Sequence, residues 1–174
     1  MKSIFFKIEK IHEVLKLIGV YISGISILGM MLLIVTDVFL RNVFTAPISG
    51  TYELVQFYFM PLAIFPALAY TYSSGILPRL GELIEKAPFR VQNTVTYILL
   101  FIEIVIFGLL MVYGWKFAMS GLSDKMAIPI GGSLLIHYPI YFLVPIGFGL
   151  VLVEVIITSC KRILKINDEG SVPQ

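Results

Sequence analysis

The stretch DVFLRNVFTAPISGTYEL, residues 37–54, places three charged side chains between two of the most apolar segments of the chain. Asp37, Arg41 and Glu53 lie where one apolar segment ends and the next begins. Charged groups beside hydrocarbon are costly, so each needs a partner or a function. Pro47 and Gly50 are residues typical of turns. The stretch therefore predicts a hairpin of two membrane helices with a polar tip.

The composition indicates an integral membrane protein. Hydrophobic residues make up 58% of the 174 positions and charged residues 14%, and the mean hydropathy is +0.93. A soluble domain carries about 25% charged residues, so this chain could not cover a globular surface with polar groups. The net charge of +2 does not indicate a nucleic-acid partner. A single cysteine excludes an internal disulfide and a cysteine-based metal cluster.

Four apolar segments are long enough to cross a bilayer, which takes about 20 residues. They cover approximately residues 17–39, 52–72, 94–115 and 137–160. Each is too long for a strand, and an open sheet could not satisfy its backbone polar groups in lipid. The sequence thus predicts an all-α fold with four transmembrane helices, and we expect residues 1–174 to form a single membrane domain.

The distribution of Lys and Arg predicts that both termini are cytoplasmic. Ten of the 13 basic residues lie before span one, between spans two and three, or after span four. The other three, on the opposite side, are Arg41, Lys116 and Lys125. Residues 161–174 are then a cytoplasmic tail.

Residues 1–16 predict an amphipathic helix in the cytoplasmic interface. Its apolar residues recur at helical spacing: Ile4, Ile8, Ile11 and Leu15, continuing to Ile18. Lys7, Lys10 and Lys16 lie off this stripe and are expected to anchor the chain to lipid headgroups, as is Trp115 at the opposite interface. The alternative is a straight cytoplasmic extension of span one. A shorter stripe at residues 77–87 predicts a similar helix in the second connector.

The polar tip of the first hairpin allows more than one interpretation. Asp37 and Arg41 are four residues apart, so they share a helix face and can form an ion pair. Glu53, in the first turn of span two, is the alternative partner of Arg41. The favoured interpretation is a clamp that fixes the hairpin, and contact with another subunit or with a substrate are the alternatives.

Two carboxylates lie within the predicted spans. Glu103 is about 13 Å into span three by helical rise, and Glu154 is near the cytoplasmic end of span four. Intramembrane carboxylates are candidates for function, so Glu103 could carry protons or bind a cation. Both residues could instead form polar contacts with a neighbouring helix or subunit, which is the interpretation we favour.

Small residues and prolines predict how the spans pack. Gly19, Ser23 and Ser26 form a small-residue face on span one that suits close helix packing. Pro61 and Pro66 predict an interrupted helix in span two, which membrane proteins tolerate when neighbouring helices compensate.

The sequence does not predict an enzyme or a bound cofactor. His12 and His137 fall on opposite sides of the predicted bilayer, so they could not ligate one haem within this chain. No phosphate-binding loop, metal-ligand spacing or nucleophile–base arrangement is evident. Self-sufficient secondary transporters usually show two related halves, which these four spans lack. We therefore expect a subunit of a transporter.

The first hairpin resembles that of the small membrane subunit of tripartite ATP-independent periplasmic (TRAP) transporters, the DctQ-like family. DVFLRNVFTAPISGTYEL is similar to the family pattern D-V-x-x-R-x-x-F-x-x-P-x-x-G-x-x-E-L. A second, weaker similarity is MAIPIGGSLLIHYPIYFLVPIGFGL, residues 126–150, which looks like the family's entry into its last span. The second connector lacks the basic, His-containing stretch that family members often carry.

The resemblance implies a role in a three-part uptake system of the bacterial inner membrane. A periplasmic binding protein would deliver an organic acid, such as a dicarboxylate or sialic acid, to a large multi-span permease. Sodium ions would drive uptake and would bind in the permease, not in this chain. The small subunit would scaffold the permease, and the cluster of Asp37, Arg41 and Glu53 would fix the hairpin surface offered to either partner.

Two other functions compete with this expectation. One is a self-associating four-helix exporter that couples transport to proton movement through Glu103. The other is a haem-anchoring subunit of a respiratory complex.

Overall fold

A computed structural model describes residues 2–74, 88–130 and 133–163 of the chain. Four helical segments are long and apolar enough to cross a membrane: Glu9–Phe44, Thr51–Ser73, Thr94–Ser123 and Tyr138–Lys161. They are spans one to four below, and they confirm the predicted all-α membrane fold. The stripe at residues 77–87 lies outside the described residues, as does most of the tail. The orientation of the termini stays a prediction.

Span one belongs to a single helix, α1, which runs without interruption from Lys2 to Phe44. The helix continues through residue 16, where the interfacial helix was predicted to end and span one to begin, and the position of this segment relative to the bilayer stays a prediction. The sequence explains this, because residues 2–18 contain neither Gly nor Pro. Nothing in that segment interrupts the backbone hydrogen bonds of a helix.

The buried face of α1 carries mainly polar and small side chains, with Met30 and Leu33 as its large apolar members. Most of its members are at least half buried and recur every three or four residues: His12, Lys16, Gly19, Ser23, Ser26, Met30, Leu33 and Asp37. Such a repeat keeps one seam of a helix against its neighbours. The described members of the predicted apolar stripe, Ile11, Leu15 and Ile18, lie off this face and are exposed, Ile11 by 62%. The predicted packing face of Gly19, Ser23 and Ser26 is thus confirmed.

Span two is an interrupted helix, as its prolines predict. It consists of α2 (Thr51–Leu54), a π-helix (Val55–Phe59), α3 (Met60–Ile64), a 3-10 helix (Phe65–Ala67) and α4 (Leu68–Ser73). Pro61 lies just after the end of the π-helix, in the first turn of α3, and Pro66 lies within the 3-10 helix. Proline has no N–H group to donate, so each one removes a backbone hydrogen bond from the span.

Spans one and four approach span two most closely at Pro66. A Cβ atom on Gly19 would overlap the Pro66 carbonyl oxygen, and one on Gly147 would lie 2.8 Å from the Phe65 carbonyl oxygen. The hydroxyl of Ser23 donates to the carbonyl of Leu62 at 3.5 Å. That carbonyl lies four residues before Pro66, so it has no helical N–H partner. The hydroxyl of Ser23 thus supplies a hydrogen bond to the carbonyl that Pro66 leaves without a donor.

Span three belongs to helix α5 (Phe89–Ser123), and a short antiparallel hairpin follows it. Strand β1 (Ala127–Ile130) pairs with strand β2 (Ser133–Ile136). The sequence analysis did not predict these strands. Span four follows as a 3-10 helix (Tyr138–Phe142) and helix α6 (Leu143–Ile163).

The buried core is small and lies between spans two, three and four. Its fully buried members are Ala69, Val151 and Val155. Partly buried apolar side chains surround them: Leu68, Tyr72, Leu100, Ile104, Phe107 and Leu150. In the most apolar window of each span, only 6% to 28% of the residues are buried inside the chain. Most of the apolar surface therefore faces outward.

Candidate functional site

The tip of the first hairpin is fixed by the buried carboxylate of Asp37, which is 5% exposed. Its Oδ1 accepts a hydrogen bond from the backbone N–H of Ile48 at 2.7 Å. Its Oδ2 accepts one from Arg41 Nη2 at 2.9 Å. One carboxylate thus joins the last turns of α1 to the loop that enters span two. This is the arrangement that a hairpin clamp requires.

The other predicted members of this cluster have different positions. The side chain of Arg41 is 63% exposed, so its charge faces the surface while Asp37 is buried. Glu53 is half-buried in the first turn of α2, and the ion pair of Arg41 is with Asp37 rather than with Glu53. Gly50 has a φ of 89°, a conformation that favours glycine, and Pro47 is exposed. The sequence predicted these residues but not the bond to Ile48.

At the predicted cytoplasmic end, Glu154 of span four meets two basic side chains of α1. Lys16 Nζ lies 3.1 Å from Glu154 Oε2, and both side chains are 12% exposed. His12 Nε2 lies 2.9 Å from the same oxygen, outside hydrogen-bond geometry. Two turns further along span four, Lys161 Nζ lies 2.5 Å from Glu9 Oε1. These contacts fasten the N-terminal extension of α1 to the end of span four.

This ion-pair cluster changes the interpretation of several predicted residues. Lys16 contacts a carboxylate of the chain, although it was expected to anchor the chain to lipid. Lys10 is exposed, as a headgroup anchor requires, and the side chain of Lys7 lies outside the described part. The sequence analysis considered His12 only as a haem ligand. His12 and Lys16 are four residues apart, so the sequence could have predicted that both lie on one face of the helix.

Glu103 faces another span rather than a charged group in the described part of the chain. Tyr72 Oη of span two donates a hydrogen bond to Glu103 Oε2 at 2.5 Å. The ring of Tyr72 packs edge to face on Phe107, one turn along α5 from Glu103. The predicted polar contact between helices is therefore present within this chain. Tyr72 is the functional partner that sequence reasoning missed, since a tyrosine near a span end is also typical of an interfacial anchor.

Aromatic rings pack together at the opposite, predicted external end. The buried ring of His137 lies between those of Phe57, Tyr58 and Tyr141, with centroid distances of 5.3, 5.4 and 4.7 Å. Trp115 is 51% exposed and packs edge to face on Phe142, 5.7 Å away. Trp115 lies eight residues before the end of span three, in its predicted external half, and its role as a membrane anchor stays a prediction.

The site residues have in common that most of them join one span of the chain to another. In the part of the chain that the structure describes, no group of three metal-ligating side chains lies together. His12 contacts Glu154 in the second half of α6, whereas His137 precedes the start of α6 and packs among aromatic rings, so the two do not form a ligand pair. The polar side chains connect spans to one another, and the apolar surfaces of the spans face outward. Such a molecule is suited to hold a fixed shape in a bilayer and to offer surfaces to lipid and other membrane proteins.

Comparison with known proteins yields one family. The sequence model described as tripartite ATP-independent periplasmic transporters, DctQ component, matches residues 30–165. The match includes the first hairpin, the interrupted span two and Glu154, and it begins after the segment that carries His12 and Lys16. No curated protein and no solved structure matches the chain.

Proposed function

Because the chain belongs to the DctQ component family of tripartite ATP-independent periplasmic transporters, we propose that it is the scaffold against which a large permease subunit moves its substrate. The family identifies a small membrane subunit of a transporter, whose partners are of two kinds, a large permease and a periplasmic binding protein. In this proposal, the chain binds neither the substrate nor the coupling ion.

The observation that supports a scaffold best is that a carboxylate joins span one to another part of the chain at each of its two ends. Asp37 holds the turn into span two at one end, and Glu154 holds Lys16 at the other. Between them, span one packs with small residues against the proline break of span two. These contacts restrain relative movement of the spans, as a stationary support for a moving partner requires.

The outward surfaces support the same function. Large apolar side chains are exposed along spans one and three, for example Ile25 at 70% and Phe101 at 68%. Charged side chains are scarce in these windows. The surface is therefore suited to lipid and to the apolar spans of a permease in the bacterial inner membrane.

The finer features of transport follow from the family pattern and belong to the partners. We propose sodium-coupled uptake of an organic acid, with a dicarboxylate, a keto acid, a sulfonate or sialic acid as the substrate class. The binding protein and the permease would select among these acids. Sodium ions would bind in the permease.

Reconstitution tests this function. The permease is placed in proteoliposomes with and without this chain, the binding protein is added, and sodium-driven uptake of a panel of labelled organic acids is measured. We expect uptake only when the chain is present, and we expect the chain alone to transport nothing. Uptake by the permease alone at the full rate would contradict the proposal, as would proton-driven transport by the chain alone.

A further inference from the structure

The hairpin after span three presents a wholly apolar face to its surroundings. Ala127 pairs with Ile136, and Pro129 pairs with Leu134, so these four side chains share one face of the two strands. All four are exposed, Leu134 by 74% and Ile136 by 56%. On the opposite face, Ile128 is half-buried and Leu135 is 37% exposed, so this face is less exposed than the outward one. In water, the outward face would be costly because apolar area stays hydrated.

The contacts of the hairpin indicate its depth in the membrane. His137, at the end of β2, lies about 19 Å by helical rise from the middle of span four. Phe117, whose ring packs on Tyr141 at 4.7 Å, lies about 13 Å from the middle of span three. The hydrocarbon of one leaflet is about 15 Å thick. The base of the hairpin therefore lies at the boundary between acyl chains and headgroups.

A second contact fixes the end of β2 at this level. The hydroxyl of Tyr58 donates a hydrogen bond to the carbonyl of Ile136. Tyr58 lies in the first half of span two, and helical side chains point back toward the N-terminus of their helix, which here is the predicted external end. Tyrosine and tryptophan side chains are typical of this interface, and Trp115 lies in the same half of span three.

The strand edges limit what can cover this face. A two-stranded sheet has two edges with unpaired N–H and C=O groups, and hydrocarbon cannot satisfy them. Water could satisfy the edges, but it does not favour the apolar face. The interfacial layer provides acyl chains for the face and hydrated headgroups for the edges. Pro129 further removes one N–H group from β1.

We propose that the apolar face formed by Ala127, Pro129, Leu134 and Ile136 docks into the phospholipid interface of the leaflet at this end of the molecule. The hairpin is a second membrane anchor, distinct from the spans. It restrains the connector between spans three and four at a fixed depth. This proposal does not depend on the transport function proposed above.

Spin labelling tests the proposal, since Cys160 is the single cysteine of the chain. Cys160→Ser is combined with Leu134→Cys, and a nitroxide is attached to the new thiol. The full chain is reconstituted in phosphatidylethanolamine–phosphatidylglycerol vesicles. Collision rates are then measured with oxygen, which partitions into lipid, and with a nickel chelate, which stays in water.

Two reference positions calibrate the result. Leu109 is exposed near the middle of span three, so a label at Leu109→Cys gives the collision ratio expected in lipid. Asp124 is exposed just after α5, so a label at Asp124→Cys gives the ratio expected in water. We expect the oxygen-to-nickel ratio at Leu134 to be several-fold higher than at Asp124 and closer to that at Leu109. Ala127→Cys, on the same face, is a second position and should give the same result.

Either of two results would overturn the proposal. A ratio equal to that of Asp124 would show that the face lies in water. Low collision rates with both reagents would show that protein covers the face, either a second copy of this chain or another part of it.

Discussion

The carboxylate of Asp37 accepts the backbone N–H of Ile48 at 2.7 Å, eleven positions further along the chain. The same carboxylate pairs with Arg41, whose side chain is mostly exposed. The two contacts are unequal in energy. A buried N–H group without a partner costs about 1–3 kcal/mol, whereas an ion pair whose basic partner is mostly exposed to solvent contributes about 0–1 kcal/mol. The hairpin therefore depends more on Ile48 than on Arg41.

This inequality predicts the effect of three substitutions at the hairpin. Asp37→Ala should lower the free energy of unfolding by about 2 kcal/mol, since it leaves the Ile48 N–H unpaired. Asp37→Asn should lower it by less than about 1 kcal/mol, because an asparagine oxygen still accepts the hydrogen bond from the Ile48 N–H. Arg41→Gln should also lower it by less than about 1 kcal/mol, because the Arg41 side chain is mostly exposed. Unfolding of the purified chain in mixed micelles measures the differences. Equal losses for Asp37→Ala and Arg41→Gln would contradict this ranking.

Close packing around Pro66 predicts that the glycines of the spans differ in how much substitution by alanine destabilises the fold. Gly19→Ala and Gly147→Ala would place a Cβ against backbone carbonyls of span two, so each should destabilise the fold by about 1–3 kcal/mol. Gly24→Ala and Gly108→Ala are matched controls, since no atom lies within 4 Å of the added Cβ. They should be neutral or slightly stabilising because alanine favours helix. Melting temperatures in detergent test the contrast, which would be refuted if all four variants behaved alike.

The ion pair of Glu9 with Lys161 predicts that exchanging the two charges restores the stability that either single substitution removes. Glu9→Lys and Lys161→Glu, made singly, place like charges 2.5 Å apart in the present geometry and should weaken the attachment of α1 to span four. The double variant restores opposite charges and should recover most of the lost stability. Limited proteolysis near the N-terminus reports the attachment. If the double variant were cleaved as fast as the worse single variant, the pair would not act as a fastener.

Glu103 discriminates between the scaffold and the exporter. Glu103→Gln keeps an oxygen that can accept a hydrogen bond from the Tyr72 hydroxyl. If the chain is a scaffold, the complete transporter with this variant should therefore retain at least about half of its uptake. A proton-coupled carrier would lose its activity, because glutamine does not exchange protons. Uptake by the reconstituted transporter, with Tyr72→Phe as a comparison, measures this. Loss of all uptake in Glu103→Gln with normal assembly would favour the carrier.

Much of the fold could be predicted because its signals are local. Apolar length identifies four spans, the prolines predict the break in span two, and Gly19, Ser23 and Ser26 predict a packing face. The continuous α1 was missed because the stripe of Ile11 and Leu15 is compatible both with an interface and with a lipid-facing extension. The contact that packs this segment against span four, between Lys16 and Glu154, joins residues far apart in sequence.

The polar contacts of the site required tertiary structure. The spacing of Asp37 and Arg41 predicts their pair, but the bond to the Ile48 N–H involves a backbone group that carries no residue-type signal. The hairpin at residues 127–136 did carry a signal, since Gly131–Gly132 between two apolar runs is typical of a two-residue hairpin loop. It was missed because the flanking residues continue the apolar character of the nearby span.

Assembly with a permease is the central claim, and co-purification from native membranes tests it most directly. The chain is tagged at its C-terminus, extracted in mild detergent and analysed by native mass spectrometry. We expect one stable complex with a multi-span partner several times larger, at fixed stoichiometry. Recovery of the chain only as a monomer or as a complex with itself would show that it is not a permease subunit.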